Sequence, residues 1–261
     1  MKNPTIIGAI AGDVIGSVYE FDPIKTTKFD WLNPEAFFTD DSVLTIAIAD
    51  ALVNKKDFGK SLWDYGQKYP NAGFGGMFYD WLQTTNPEPY NSFGNGSAMR
   101  VSAAGFAADS LEEALFLAKQ TALPSHNHPE GIKGAQATAV AIYLAKTGKS
   151  KVEIYEYISS MFNYELTFTI DAIRPTYEFN EICQETVPQA IVCFLESSDY
   201  ESAIRLAISL GGDADTLACI TGGIAAAFYK EMPDEIIRLM EALLPTEFWE
   251  IINAFDDKYR L

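Results

Sequence analysis

From Gly211 to Phe228 the sequence reads GGDADTLACITGGIAAAF, with Asp213, Asp215 and Thr216 directly ahead of a run that is otherwise glycine, small and apolar. The apolar residues recur at helical spacing, and glycines inside a helix, unfavourable in themselves, fit where a neighbouring helix packs close. The stretch therefore predicts a central, buried helix with negative charge at its mouth. Far upstream, FFTDDSVLTIAIADAL, from Phe37 to Leu52, repeats the arrangement with Thr39, Asp40 and Asp41. The two stretches pose one question: why adjacent acids precede helices built for burial.

Working outward, the i, i+3, i+4 apolar pattern recurs along the chain, for example in LEEALFLAKQTAL, KVEIYEYISSMF, YESAIRLAISLG and DEIIRLMEALLP. About a dozen such segments and no convincing alternation of apolar and polar residues predict an all-α fold. AMRVSAAGFAAD reads as one helix, and VPQAIVCFLES as another beginning at Val187. With no Pro/Ser-rich linker, low-complexity tract or fixed-period repeat, residues 1–261 read as a single domain. The longest irregular segments, Phe21 to Phe37, Thr84 to Gly94 and Leu166 to Val187, are candidates for lining a substrate cleft.

At 261 residues, 48% hydrophobic and 13% aromatic, the chain has the composition of a soluble globular protein with a substantial core. Its 36 acidic against 19 basic residues give a net charge of −17, which argues against a nucleic-acid partner and makes a cation requirement plausible. No run approaches the roughly 18 apolar residues of a membrane span, and the N-terminus has no secretory signal pattern. Cys183, Cys193 and Cys219 fit neither a disulfide framework nor a zinc pattern. They read as reduced thiols of a cytoplasmic protein, Cys193 and Cys219 in the core and Cys183 in a polar loop.

An aspartate at a helix N-terminus ordinarily caps free N–H groups and suits the helix dipole. That accounts for one acid per helix, and leaves Asp40 beside Asp41, and Asp213 near Asp215, each set with a threonine, unexplained. If the four carboxylates converge, repulsion and desolvation raise their pKa values or call for a cation. Oxygen-only ligands with threonine hydroxyls suit Mg²⁺ or Mn²⁺, and the lack of nearby His or Cys argues against zinc. Two ions fit such a set.

Three further segments carry candidates. GAIAGDVIGSVYEF, from Gly8, adds Asp13, read as capping or pairing within its own helix, and Glu20, either solvated or placed to hold a water. FGNGSAMRVS, Phe93 to Ser102, is a glycine-rich turn into a helix starting near Ser97. Its backbone N–H groups can cradle phosphate with Arg100 adding charge, or it is an ordinary loop capped by Asn95 or Ser97. SHNHPEG, from Ser125, holds both histidines, with Pro129 suited to a helix's first turn. His126 either binds a diphosphate or ribose group or is a satisfied loop residue.

In this order, GAIAGDVIGSVYE, FTDDSVLTIAIADAL, GNGSAMR, SHNHPEG and GGDADTLACITGGIAAAFY resemble the ADP-ribosylglycohydrolase family from Ile7 to Tyr229. The resemblance implies a compact orthogonal helical bundle with a dinuclear Mg²⁺ or Mn²⁺ centre in a central cleft. It makes Thr39, Asp40, Asp41, Asp213, Asp215 and Thr216 the metal ligands. Glu20, with Asp40 and Asp215, becomes catalytic, and Glu20 contacts water or ribose. Gly94, Asn95, Gly96, Ser97, Met99 and His126 wrap ADP-ribose. The implied reaction is hydrolysis of an N- or O-glycosidic bond between ADP-ribose and a side chain or small molecule, by a monomer or weak homo-oligomer. Hydrolysis of a free nucleoside or nucleotide-sugar, or ADP-ribose binding without catalysis, are the alternatives. HNHPEG and IRPTYEFNEICQETVPQA, from Ile173, resemble one bacterial branch of the family, and Lys230 stands where members often carry glycine.

Overall fold

The computed structural model describes residues 1 and 3–260. Among them are fifteen α-helices, one short 3-10 turn and no strand, apart from an isolated bridge between Gly94 and Ile182. In order, the helices are α1 (Ile7–Gly16), α2 (Asp40–Asn54), α3 (Phe58–Lys68), α4 (Gly76–Leu82), α5 (Gly96–Met99), α6 (Ser102–Ala107), α7 (Leu111–Ala122) and α8 (Pro129–Lys146). They continue as α9 (Lys151–Phe162), α10 (Ile170–Ile173), α11 (Cys183–Glu196), α12 (Tyr200–Ser209), α13 (Ala214–Tyr229), α14 (Asp234–Leu243) and α15 (Thr246–Tyr259). No helix among the described residues is long and apolar enough to cross a membrane.

The helices pack around α1 and α13, which lie against each other at the centre, with every residue of α1 and nearly all of α13 buried. Their contact is backbone to backbone. A β-carbon on Gly12 would stand 2.1 Å from the Ala218 carbonyl oxygen, and one on Gly16 2.5 Å from the Asp215 Cα. No side chain larger than hydrogen fits, which is the physical reason for the glycines of GAIAGDVIG. The close approach fixes the end of α1 against the start of α13, so Asp213 and Asp215 are held beside the turn Ser17–Tyr19 that leads to Glu20. Helices α11, α12 and α8 pack on the other sides of α13, and α2 lies on α1, α3, α6 and α15.

Two helices escape the periodicity reading. The segment α3 carries Gly59 and Gly66, the latter needed because Leu82 lies against it. The other, α10, is a single turn of four residues. AMRVSAAGFAAD is two helices, α5 and α6, separated at Arg100 and Val101. Helix α11 starts at Cys183, ahead of Pro188 inside it. This corrects the loop placement of Cys183: it is fully buried, with its thiol donating to the Gly94 carbonyl oxygen at 3.1 Å, while Cys193 and Cys219 are buried as expected.

Candidate active site

Asp13 organises the first acidic turn. Fully buried on α1, its carboxylate accepts from Thr39 N at 3.0 Å, Thr39 Oγ1 at 2.6 Å, Ser42 N at 3.0 Å and the Ser42 hydroxyl. A residue expected to serve its own helix is thus the anchor for the start of α2. Thr39 is the N-cap of α2, its hydroxyl oxygen accepting from Asp41 N at 3.3 Å while donating to Asp13. One lone pair remains on that oxygen.

The second turn reaches the same place. Asp213 is the N-cap of α13 but makes no side-chain cap, so its carboxylate is not committed to the helix end. Instead, Asn95 Nδ2 donates to Asp213 Oδ2 at 2.7 Å and to Thr186 Oγ1 at 3.2 Å. Asp215 Oδ1 accepts from Thr216 N at 2.9 Å, and Thr216 Oγ1 donates to Asp41 Oδ2 at 3.2 Å, tying the two turns together.

Two carboxylate groups result, with oxygens within 4.8 Å of one another: Asp13, Asp41 and Asp215, and Glu20, Asp213 and Asp215. Asp215 belongs to both. Asp40 is outside these groups and lines the cavity wall. Among the described residues no lysine or arginine forms an ion pair with any of them. Burial therefore dominates. It pushes Asp40, Asp41 and Asp215 well above the usual carboxylate range, with like charge adding to the shift. Asp13 and Asp213 rise to about 6, burial being offset by their hydrogen bonds. Glu20 rises to about 8 through burial and then the charges of Asp215, Asp13 and Glu181.

Glu20, Asp40, Asp41, Asp213 and Asp215 line a cavity of about 320 Å³, with Asp13 buried behind them. Of the sequence candidates, Glu20, Asp40, Asp41, Gly94, Asn95, Gly96, Met99, His126, Asp213, Asp215 and Thr216 line it. Thr39 and Ser97 do not. Ser97 is buried and its hydroxyl donates to the Gly131 carbonyl oxygen at 2.7 Å. The glycine-rich turn is also partly committed, since Gly94 N donates to Ser92 Oγ at 3.0 Å and Asn95 N to the Glu181 carbonyl oxygen at 2.7 Å. Two expected cleft segments contribute, Tyr90 to Gly94 and Glu181 with Ile182, while no residue of 21–37 is in the wall. Phe21 instead stands 84% exposed, stacked on Phe179 with ring centroids 6.3 Å apart. The sequence reading missed the wall formed by Gly73, Gly75, Gly76, Met77 and Phe78, which leads into and begins α4.

The family model for ADP-ribosylglycohydrolase matches residues 4–260. The chain belongs to this family. Among relatives of the ADP-ribosylglycohydrolase chain is the mouse (Mus musculus) ADP-ribosylhydrolase ARH3, 27% identical over 88% of this chain and 84% of that protein. The ADP-ribosylarginine hydrolase Tri1 of Pseudomonas putida (strain GB-1) is 25% identical over 88% of this chain and 71% of its own. A solved structure described as an ADP-ribosylglycohydrolase-related protein complex shares the fold, with a TM-score of 0.74 at 22% identity, covering 97% of this chain and 96% of that one. The relatives are named as hydrolases, and membership makes this chain a hydrolase of the ADP-ribosylglycohydrolase family.

Proposed function

We propose that the protein is a cation-dependent hydrolase that cleaves the N- or O-glycosidic bond between ADP-ribose and a modified protein side chain or small molecule. The observation that carries the reading is the pair of carboxylate groups sharing Asp215, which lines the cavity. Clustered buried carboxylates without a cation are costly. One detail fits the donor set to a hard divalent ion: Asp41 Oδ1 is buried without a partner. Asp41, Asp213, Asp215 and Thr216 would hold two ions, Mg²⁺ or Mn²⁺, with Thr39 offering its free lone pair and Asp40 standing at the wall. When bound, the ions supply Lewis-acid polarisation of substrate oxygens and a lowered pKa for water.

The chain's own groups do the rest. Asp13 holds the Thr39–Ser42 turn and Asn95 holds Asp213, so both acidic turns are preorganised before substrate arrives. Glu20, at the open side of the second group, would take a proton from an attacking water as the anomeric carbon develops positive charge, its carboxylate being ionised once bound cations offset the neighbouring acids that raise its pKa. Gly96, Met99 and His126 line the wall against which the ADP-ribosyl group lies. Residues 1–261 act as one domain, monomeric or weakly self-associating.

Product analysis tests the reading. An ADP-ribosylated peptide incubated with protein and Mg²⁺ should yield ADP-ribose and unmodified peptide. Turnover of a free nucleoside or nucleotide-sugar with the ADP-ribosylated peptide untouched would replace the substrate assignment.

A further inference from the structure

Beside the acids is a buried chain of polar groups that the chemistry above does not use. Arg100 is fully buried, its guanidinium 6.0 Å from the Phe78 ring centroid. Its Nη2 donates to the Thr121 carbonyl oxygen at 2.9 Å and to Ser125 Oγ at 2.8 Å. Ser125, also fully buried, places the same Oγ 2.8 Å from Nδ1 of His126. On the other side of the ring, Nε2 faces the glycine-rich turn, where a β-carbon would stand 3.0 Å from it on Gly96 and 3.5 Å on Gly94.

An arginine can only donate. It therefore fills one lone pair of Ser125 Oγ. That charged donor also polarises the hydroxyl and turns its proton away from the guanidinium, toward the ring nitrogen 2.8 Å away. The serine proton is then left for Nδ1. A histidine nitrogen that accepts one hydrogen bond forces the ring proton onto the other nitrogen. Burial, and then the Arg100 charge, hold His126 well below its usual range, so the ring is neutral and its tautomer decides what it offers.

We propose that Arg100 and Ser125 are positioning residues that hold His126 in the tautomer protonated at Nε2, so that the ring presents a donor to the cavity beside Gly94–Gly96. The need for it is local. The backbone N–H groups of Gly94 and Asn95 are already committed, so a donor at Nε2 replaces theirs for an anionic oxygen beside that end of the turn. With the proton on Nδ1, the same site would meet that oxygen with a lone pair. The anion, a diphosphate oxygen of ADP-ribose, rests on the function proposed above; the tautomer does not.

Long-range ¹H–¹⁵N correlation of the labelled protein reads the tautomer directly, and the chain has only two histidines. His128 is the internal reference, since its Nδ1 accepts from Glu130 N at 3.1 Å, and a His128→Asn variant assigns the signals. His126 should show an unprotonated Nδ1 and a protonated Nε2. In Ser125→Ala the His126 pattern should shift toward a mixture while His128 stays fixed, and Ser125→Thr, which keeps the hydroxyl, should retain the wild-type pattern. By calorimetry with Mg²⁺, ADP-ribose should bind Ser125→Ala about tenfold more weakly, the worth of one hydrogen bond to an anion.

A wild-type spectrum with the proton on Nδ1 overturns the proposal without any variant. So does an unchanged Nε2–H pattern in Ser125→Ala. If the wild-type spectrum is as expected and ADP-ribose does not bind, the functional reading fails and the positioning of His126 stands.

Discussion

Raising the pH of the cation-free protein should make it easier to unfold. Asp13 and Asp213 are buried and have folded-state pKa values of about 6 against an ordinary 3.8. Between these values the folded state keeps protons that the unfolded state has released, so stability falls as pH rises through that window. A pH unit in the middle of the window costs about 1.4 kcal/mol per group, less as the folded pKa is approached, so the stretch from about pH 5 to about pH 6 removes about 2 kcal/mol for the pair. For a chain of this size that is about 4–8 °C in Tm. Glu20, raised to about 8 but half-exposed, extends the decline toward pH 8 with a smaller share. Thermal melts followed by circular dichroism in EDTA, at constant ionic strength, measure the slope. Mg²⁺ or Mn²⁺ competes with protons for the same oxygens, so its stabilisation should be larger at about pH 8 than at about pH 5. A Tm in EDTA that is flat or rises across the acid window, or cation stabilisation that is greater at the lower pH, would refute the reasoning.

Further consequences are specific. Glu20→Gln should lower kcat by about a hundredfold or more while leaving ADP-ribose affinity, measured by calorimetry, nearly unchanged. Loss of affinity in step with kcat would make Glu20 a binding group. Gly8→Ala and Gly16→Ala should each destabilise the α1–α13 contact by about 2 kcal/mol in denaturant titrations. Only Gly16→Ala, whose new β-carbon would press on the Asp215 Cα, should also weaken Mn²⁺ binding; at Gly8 the neighbours are Ala226 and Gly222, at the far end. Lys230 closes α13 with φ +59°, in the left-handed region, so Lys230→Gly should stabilise by about 0.5–1 kcal/mol with activity unchanged. A destabilised Lys230→Gly variant would show that its side chain matters more than its backbone.

What could be read from the sequence was what is local. Apolar periodicity marks the long helices because one face of each meets the core, and TDDS with GDADT marks the acidic turns because capping accounts for only one acid per helix. It fails where the cause lies elsewhere in the chain. Asp13 looks like a residue of its own helix, yet all its partners are on Thr39 and Ser42. The signal was present: a lone aspartate among the glycines and branched aliphatics of a fully buried helix must be satisfied from outside it. Ser97 and Arg100 sit in a turn that reads as a phosphate cradle, but the Arg100 Nη2 is committed to Thr121 and Ser125, while Arg100 itself lines the cavity, and the Ser97 hydroxyl is committed to Gly131. That contact depends on how α5 docks on α8, which no spacing within FGNGSAMRVS encodes. Cys183 reads as loop because polar neighbours surround it, whereas Gly134 on α8 leaves room for its thiol.

The central claim is that the two carboxylate groups make the site a cation-dependent hydrolase of ADP-ribosyl linkages, and Asp215, common to both, is where it is most exposed to test. The measurement is ADP-ribose release from arginine-linked and serine-linked peptides, with Mg²⁺, with Mn²⁺ and with EDTA, for wild type and Asp215→Ala. The account predicts release from at least one peptide that needs a cation and falls by about a hundredfold or more in the variant. Release that persists in EDTA, or that Asp215→Ala leaves at the wild-type rate, would contradict it.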